Sequence, residues 1–170
     1  MKRPSAYTVF IHLVVISLGI EVYLLAMQNN HLKANTGNAQ LLSILKPGDI
    51  IHPISAMTMD GHDTLVSYED SSRDYLLFVF STKCHFCREN LPNWTTINRE
   101  INGPRVSVLG ISIQGLEETK SFVESNRLSF PVIVPSDKSF SQQYKISSVS
   151  QTILVHVGGV VNKVWDGVLS

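Results

Sequence analysis

Apolar residues follow two different patterns along this chain. From Val9 to Met27 nearly every residue is apolar, and a run of that length is sufficient to cross a bilayer as a helix. From Leu45 onward, short apolar runs alternate with segments in which apolar residues recur every three or four positions. The pattern predicts a transmembrane anchor over residues 9–27, a polar tether over 28–44 and a folded domain over 45–170.

The folded part is predicted to be an α/β domain with helices flanking a mixed sheet. Single buried strands are predicted at Tyr75–Phe80, Arg105–Ile113 and Phe130–Val134. One hairpin is predicted at Ile50–Met59 and Thr64–Ser67 around Asp60-Gly61, and a closing one at Thr152–Val157 and Val160–Trp165 around Gly158-Gly159. A helix is predicted after Cys84, kinked at Pro92, with an inward face formed by Leu91, Trp94, Ile97 and Ile101. A second helix is predicted at Leu116–Leu128, with Phe122 and Val123 facing inward, and a short third helix at Ser139–Tyr144.

Basic residues set the expected orientation of the anchor. Lys2 and Arg3 precede the apolar run, which predicts a cytoplasmic N-terminus (residues 1–8) and a domain on the periplasmic or extracytoplasmic side of the cytoplasmic membrane. A cleavable signal peptide is the alternative, but no small-x-small cleavage site follows the run. Glu21 inside the run either contacts a membrane partner or snorkels to the interface.

Composition narrows the class of protein. The chain has 170 residues, 44% of them hydrophobic, with 14 acidic and 14 basic side chains. Such a chain can bury a core and lacks the excess positive charge typical of nucleic-acid binding. We therefore expect no nucleic-acid partner.

Both cysteines lie in one short segment. Cys84 and Cys87 are separated by two residues and follow the apolar run that ends at Phe80. A strand that delivers this pair to the start of a helix places the leading sulfur where the helix dipole favours its thiolate. We predict a redox-active disulfide in which Cys84 attacks and Cys87 resolves, with neither a metal nor another cofactor.

Three structural alternatives compete with this interpretation. Zinc would need two further ligands, and no paired motif is formed by His12, His31, His52, His62 or His156. Covalent haem attachment needs a histidine after the second cysteine, where this chain has Arg88. A purely structural disulfide across so short a loop would stabilise the fold only weakly.

Several motifs between Leu45 and Leu169 resemble the membrane-anchored, TlpA-like branch of the thioredoxin superfamily. They are Lys46-Pro47-Gly48-Asp49, Pro53, Asp60-Gly61, Cys84-His85-Phe86-Cys87, Pro92, Phe130-Pro131-Val132 and Tyr144. The resemblance implies a thioredoxin-like fold with an N-terminal hairpin extension. It also implies a tethered thiol-disulfide oxidoreductase that acts on extracytoplasmic protein thiols or disulfides, as in cytochrome c maturation, with a membrane electron donor or acceptor.

The expected substrate surface departs from the family pattern. Phe86 and the loop Val149-Ser150-Gln151 should hold a partner chain in extended form. The family has a cis-proline where this chain has Ser150. Because a non-proline cis bond costs about 3–4 kcal/mol, we expect a trans bond and a reshaped loop.

Charged positions near the cysteines also differ. Lys83 replaces the usual tryptophan, and Lys83 and His85 flank Cys84. Both should favour the Cys84 thiolate and make the couple more oxidising, unless Lys83 points into solvent.

The family's buried acid is also missing. It would match Phe78 or Asn90, and we expect Glu89 on the surface. Deprotonation of Cys87 then depends on water or His85.

The chain stops at residues 165–170, where relatives continue into a helix, so one sheet face is expected to meet a partner or the membrane, or to leave the domain marginally stable.

Two other functions remain open. A peroxiredoxin-type peroxidase shares the fold and needs Pro-x-x-x-Thr/Ser-x-x-Cys; Ser81 fits, but Leu77 stands at the proline position. A non-catalytic or metal-carrying binding module is suggested by the absent proline and acids. The sequence leaves open whether the protein is a reductase or an oxidase.

Overall fold

The computed structural model describes residues 10, 12, 15–27, 44–69, 73–101, 103–137, 139–146 and 148–169. The chain divides into two units between residues 42 and 43. In the first unit, residues 15–27 form helix α1 with exposed side chains. In the part of the chain that the structure describes, no helix combines the length and apolar character needed to span a bilayer. The predicted cytoplasmic segment 1–8, part of the predicted anchor and the tether other than Ile44 lie outside the described residues.

The second unit is built on a mixed sheet of seven strands in the described chain. Their order across the sheet is β2-β1-β5-β4-β3-β6-β7. The strands are β1 (Ile54–Thr58), β2 (Asp63–Val66), β3 (Asp74–Phe80), β4 (Val106–Ser112), β5 (Val132–Pro135), β6 (Gln151–His156) and β7 (Val160–Asp166). β3 is parallel to β4 and β4 to β5, and the other neighbouring pairs are antiparallel. The predicted mixed sheet and both predicted hairpins are confirmed.

Three α-helices belong to this unit in the described residues. They are α2 (His85–Ile101), α3 (Leu116–Asn126) and α4 (Phe140–Gln143). α2 and α3 connect the parallel strands, which is the arrangement that parallel pairing requires. α3 ends two residues earlier than predicted because Arg127 adopts a left-handed conformation, φ 50°. Ile101 was predicted to face inward, but it is the last residue of α2 and is 43% exposed.

Alternate residues of β3 belong to different buried clusters. Leu77 and Val79 pack with residues of β4, β6 and α4, whereas Phe78 and Phe80 pack with residues of α2 and α3. Both faces of β3 are therefore buried, which explains its continuous apolar sequence. The Phe78 ring stacks on Trp94 with centroids 5.0 Å apart, and this contact fixes α2 against the strand that precedes it.

Residues 167–169 follow β7 without forming a helix and lie against α2. The Asn93 side-chain amide donates to the Leu169 carbonyl over 2.6 Å, and Leu169 also packs against the cluster that contains Trp94. Contact of a sheet face with a partner or the membrane stays a prediction.

Candidate active site

The two cysteines lie where β3 passes into α2. A tight turn follows Phe80, in which the Cys84 N–H donates to the Ser81 carbonyl over 3.1 Å. Cys84 is partly exposed, Cys87 is buried, and both are free thiols. The Cys87 N–H donates to the Cys84 sulfur over 3.1 Å. The leading sulfur thus receives an N–H group from the first turn of the helix, as the sequence predicted.

The Cys84 thiol faces the loop before β6. Its S–H group donates to the Val149 carbonyl over 3.7 Å. Phe86, the next predicted surface residue, is 58% exposed. The structure therefore brings the attacking thiol, one carbonyl and one exposed aromatic ring to the same end of the domain.

Cys87 lies behind Cys84 in an apolar environment. Burial, reinforced by the hydrogen bond with Cys84, raises the pKa of Cys87 to about 12, against smaller lowering effects of the Ser81 backbone and the Ser150 hydroxyl. At neutral pH Cys87 is therefore a protonated, shielded thiol. This is the condition expected of a resolving cysteine before a mixed disulfide forms.

Lys83 and His85 flank Cys84, and each is paired with an acid. Lys83 Nζ lies 3.7 Å from Glu118 Oε2, and His85 Nε2 lies 3.0 Å from Glu89 Oε1. Both basic side chains are more than 70% exposed, so solvent screens them as well. Their predicted influence on Cys84 stays a prediction. Glu118, which also accepts a hydrogen bond from Thr82, was missed because it belongs to the following helix.

The predicted trans bond before Ser150 was wrong, because the Val149–Ser150 peptide bond is cis. The prediction considered only the free-energy cost of a non-proline cis bond and left out the hydrogen bonds that hold Ser150. The Ser150 hydroxyl accepts a hydrogen bond from the Asn90 amide over 2.9 Å, and its carbonyl accepts one from the Gly167 N–H over 2.8 Å.

The side chains of Ser150 and Gln151 are buried. Their side chains are 1% and 0% exposed, because Gln151 starts β6 and pairs with Val79 on one side and Asp166 on the other. The Gln151 amide donates to Asp166 Oδ1 over 2.7 Å. A partner could therefore contact these two residues only through their backbone, and their place in the partner surface stays a prediction, whereas Phe86 and Val149 lie beside Cys84.

Asn90 stands at one of the two positions that match the family's buried acid, and its side chain joins separate segments of the chain. Its Nδ2 group donates to Ser150 Oγ and to the Gly167 carbonyl, over 2.9 and 3.0 Å. Its Oδ1 atom accepts from the Leu169 N–H and from the Asn93 amide, over 3.1 and 3.2 Å. The amide is fully buried and uses both its donor and its acceptor groups. Glu89 is on the surface, as predicted.

A sheet that delivers one accessible and one buried thiol to the start of a helix defines the class of thioredoxin-like thiol-disulfide oxidoreductases. Comparison with protein families gives a specific match: the model of the AhpC/TSA family covers residues 47–164, more than half of the chain. The chain therefore belongs to the AhpC/TSA family.

Individual relatives agree with this assignment. Sporulation thiol-disulfide oxidoreductase A of Bacillus subtilis (strain 168) is 20% identical over 114 residues, which cover 65% of this chain and 68% of the relative. The crystal structure of StoA from Bacillus subtilis matches with a TM-score of 0.61 and 18% identity, over 73% of this chain and 93% of that one. The thioredoxin domain of a thiol-disulfide oxidoreductase from Bacteroides vulgatus matches with a TM-score of 0.63 and 16% identity, over 71% and 88%.

The predicted thioredoxin-like fold is confirmed by these structural matches. The predicted enzyme class is confirmed as well: the protein is a thiol-disulfide oxidoreductase.

Proposed function

We propose that this enzyme exchanges disulfides with extracytoplasmic protein partners while an N-terminal segment tethers it to the cytoplasmic membrane. The observation that carries the exchange is the arrangement of the two sulfurs. Cys84 is accessible and receives the Cys87 N–H, whereas Cys87 is buried one turn further along α2.

The reaction proceeds through a mixed disulfide. The Cys84 thiolate attacks a partner disulfide, one partner sulfur leaves as a thiolate, and Cys84 becomes bonded to the other. Cys87 then attacks the Cys84 sulfur, the Cys84–Cys87 disulfide forms, and the second partner thiolate leaves. Two electrons pass from the enzyme to the partner, and the reverse sequence oxidises a partner dithiol.

Phe86 and Val149 form the surface that receives the partner. Phe86 offers an exposed ring, and the Val149 carbonyl already accepts a hydrogen bond beside Cys84. An extended partner segment adds its backbone at this carbonyl, in the manner of strand addition. Recognition of backbone groups suits an enzyme that acts on several protein partners, such as those of cytochrome c or other redox-protein maturation.

The tether is supported by the sequence and by the exposed surface of α1. Lys2 and Arg3 precede the apolar run, and large apolar side chains such as Val22, Tyr23 and Leu25 are more than 60% exposed. An apolar surface of this kind needs a nonaqueous environment or a partner. A domain held outside the cytoplasm lies where disulfides persist, and a membrane electron carrier restores its redox state.

Trapping in the full-length protein tests the exchange reaction. The Cys87→Ser variant should accumulate reductant-sensitive mixed disulfides with proteins outside the cytoplasm, and the matched Cys84→Ser variant should accumulate none. A Cys87→Ser protein that traps no partner but consumes peroxide would instead identify a peroxidase. One that traps nothing and co-purifies with metal would identify a metal-carrying module.

Two further measurements test location and direction. The full chain should remain with membranes in carbonate, and a membrane-impermeant thiol reagent should label Cys84 in intact cells. Recovery in the soluble fraction would contradict the tether. A reduction potential of about −270 mV would indicate a reductase, and one of about −120 mV would indicate an oxidase.

A further inference from the structure

A buried hydroxyl lies between the redox helix and the loop before β6. Ser150 is 1% exposed, and its Oγ atom is 2.9 Å from Asn90 Nδ2. Cys87 is 0% exposed on the same helix, and the Ser150 hydroxyl lowers the pKa of its thiol. Cys87 and Asn90 are three positions apart, so they share one face of α2, and Ser150 lies against that face.

The orientation of the Asn90 amide fixes the direction of these hydrogen bonds. A backbone N–H can only donate, so the atom of Asn90 that faces the Leu169 N–H must be the oxygen. Nδ2 therefore faces Ser150 and donates to its oxygen. The Ser150 hydrogen remains to be donated elsewhere.

The Ser150 hydroxyl has two candidate acceptors. The Gly167 carbonyl is 3.4 Å from Ser150 Oγ, a long separation for a hydroxyl donor, and it already accepts from Asn90 over 3.0 Å. The other acceptor is the Cys87 sulfur, which becomes a strong acceptor when it ionises. Hydrogen bonds to charged acceptors are stronger than those to neutral ones.

We propose that Ser150 is a catalytic residue whose hydroxyl donates a hydrogen bond to the Cys87 thiolate during the resolving step, and that Asn90 positions it. This inference rests on the proposed disulfide exchange. In that step the Cys87 sulfur forms a bond to the Cys84 sulfur, and the bond between Cys84 and the partner sulfur breaks. The electron pair of the broken bond stays on the partner sulfur, and the proton lost by Cys87 passes through solvent to that thiolate.

The surroundings of Cys87 explain why a single hydroxyl matters there. Burial opposes ionisation of Cys87, and the two family positions for an acid hold Phe78 and Asn90. In a site of low dielectric constant, one donor stabilises an anion more than it would in water. Ser150 thus provides by hydrogen bonding part of what a carboxylate would provide by accepting the proton.

Stopped-flow reaction with 5,5′-dithiobis(2-nitrobenzoate) separates the two thiol steps in the reduced full-length protein. Attack by Cys84 releases the first coloured thiolate, and resolution by Cys87 releases the second. In Ser150→Ala we expect the second release to slow about tenfold and the first to change by less than about twofold. The matched control is Ser148→Ala, which removes an exposed hydroxyl from the same loop and should leave both rates unchanged.

Rescue distinguishes a hydroxyl donor from a packing role. Ser150→Thr, which keeps the hydroxyl, should restore the second release, whereas Ser150→Gly, a second hydroxyl-free variant, should not. The role of Ser150 would be overturned if a hydroxyl-free variant with the native thermal midpoint released the second thiolate at the native rate. It would also be overturned if Ser150→Thr slowed the second release as much as the hydroxyl-free variants do. If native protein released no second thiolate, or Cys87→Ser still released two, the failure would lie with the proposed exchange reaction itself.

Discussion

The backbone N–H of Leu169 donates to Oδ1 of Asn90 over 3.1 Å, although the two residues are 79 positions apart in the chain. Asn90 lies one turn beyond Cys87 on α2, so the segment after β7 is attached to the helix that carries the redox pair. The same amide holds Ser150 and Gly167. A residue that could have been a proton acceptor is instead the point where three segments meet.

Replacing Asn90 should cost stability rather than only activity. In Asn90→Leu the Leu169 N–H would lose its side-chain acceptor, and Ser150 Oγ and the Gly167 carbonyl would lose the amide that donates to them. We expect the free energy of unfolding to fall by about 3 kcal/mol. Urea unfolding of the reduced protein measures this. Asn93→Ala, which removes two bonds at a less buried position, should cost about 1 kcal/mol. Equal losses in the two variants would contradict the central role of Asn90.

Alkaline pH should destabilise the reduced protein through Cys87. Its folded-state pKa of about 12 lies above the ordinary value of 9.0, so the unfolded chain releases this proton first as pH rises. The contribution of Cys87 is fully present below pH 9 and is lost between pH 9 and about 12, by up to about 1.4 kcal/mol per pH unit. Denaturant unfolding between pH 8 and 10.5 should show that the free energy of unfolding declines less steeply in Cys87→Ala than in the native protein. The Cys84→Ala substitution should alter this slope less than Cys87→Ala does.

Acidic pH should remove a different contribution. Asp49 accepts hydrogen bonds from Lys145 and from the Lys46 N–H, over 2.8 and 2.9 Å, and the bond from Lys145 is the main reason that the pKa of Asp49 is lowered from 3.8. Because a lowered pKa stabilises the folded state in full only above the unfolded pKa, this contribution is complete at pH 7 and declines as the pH falls from the ordinary value of 3.8 through the folded pKa.

Lys145→Met should therefore lower stability at pH 7 by no more than about 1 kcal/mol, since both side chains are partly exposed. The difference from native protein should vanish near pH 2 in the same urea experiment. Lys120→Met breaks the exposed Lys120–Glu117 pair and serves as the control, with a smaller effect at pH 7. A Lys145→Met effect that persists unchanged in acid would show that it arises from packing.

Two adjacent glycines in the turn between β6 and β7 should respond differently to alanine. Both have positive φ, 81° at Gly158 and 77° at Gly159. A Cβ atom would meet open space at Gly158 but would lie 2.4 Å from the Ile51 carbonyl oxygen at Gly159. Gly158→Ala should cost about 1 kcal/mol, and Gly159→Ala should cost about 3 kcal/mol or more. Thermal unfolding checks the order, and similar midpoints would contradict it.

Features of the site that depend on local sequence were predictable. The continuous apolar run of β3 and the cysteine spacing place Cys84 at the start of α2 because both signals lie within a few residues. The Gly158-Gly159 turn follows for the same reason. These signals are enough to predict the dithiol and the fold that carries it.

Features that depend on distant pairing were not predictable from one sequence. The inward direction of Ser150 and Gln151 follows from β6 pairing with β3 and β7, and the cis bond accompanies contacts made by Asn90 and Gly167. Glu118 reaches Lys83 from the next helix. In each case the deciding partner is many residues away, and no local pattern marks it.

In the dithiol enzyme, the Cys84 thiol and the backbone of a partner chain compete for the same acceptor, the Val149 carbonyl. While Cys84 carries its hydrogen, that carbonyl is occupied. Once the sulfur is bonded to another sulfur the hydrogen is gone, and the carbonyl is free to accept a backbone N–H from the bound chain. The same acceptor thus retains a partner during the covalent stage, and it favours departure of the partner in the direction that oxidises a partner dithiol, because that direction leaves the enzyme reduced.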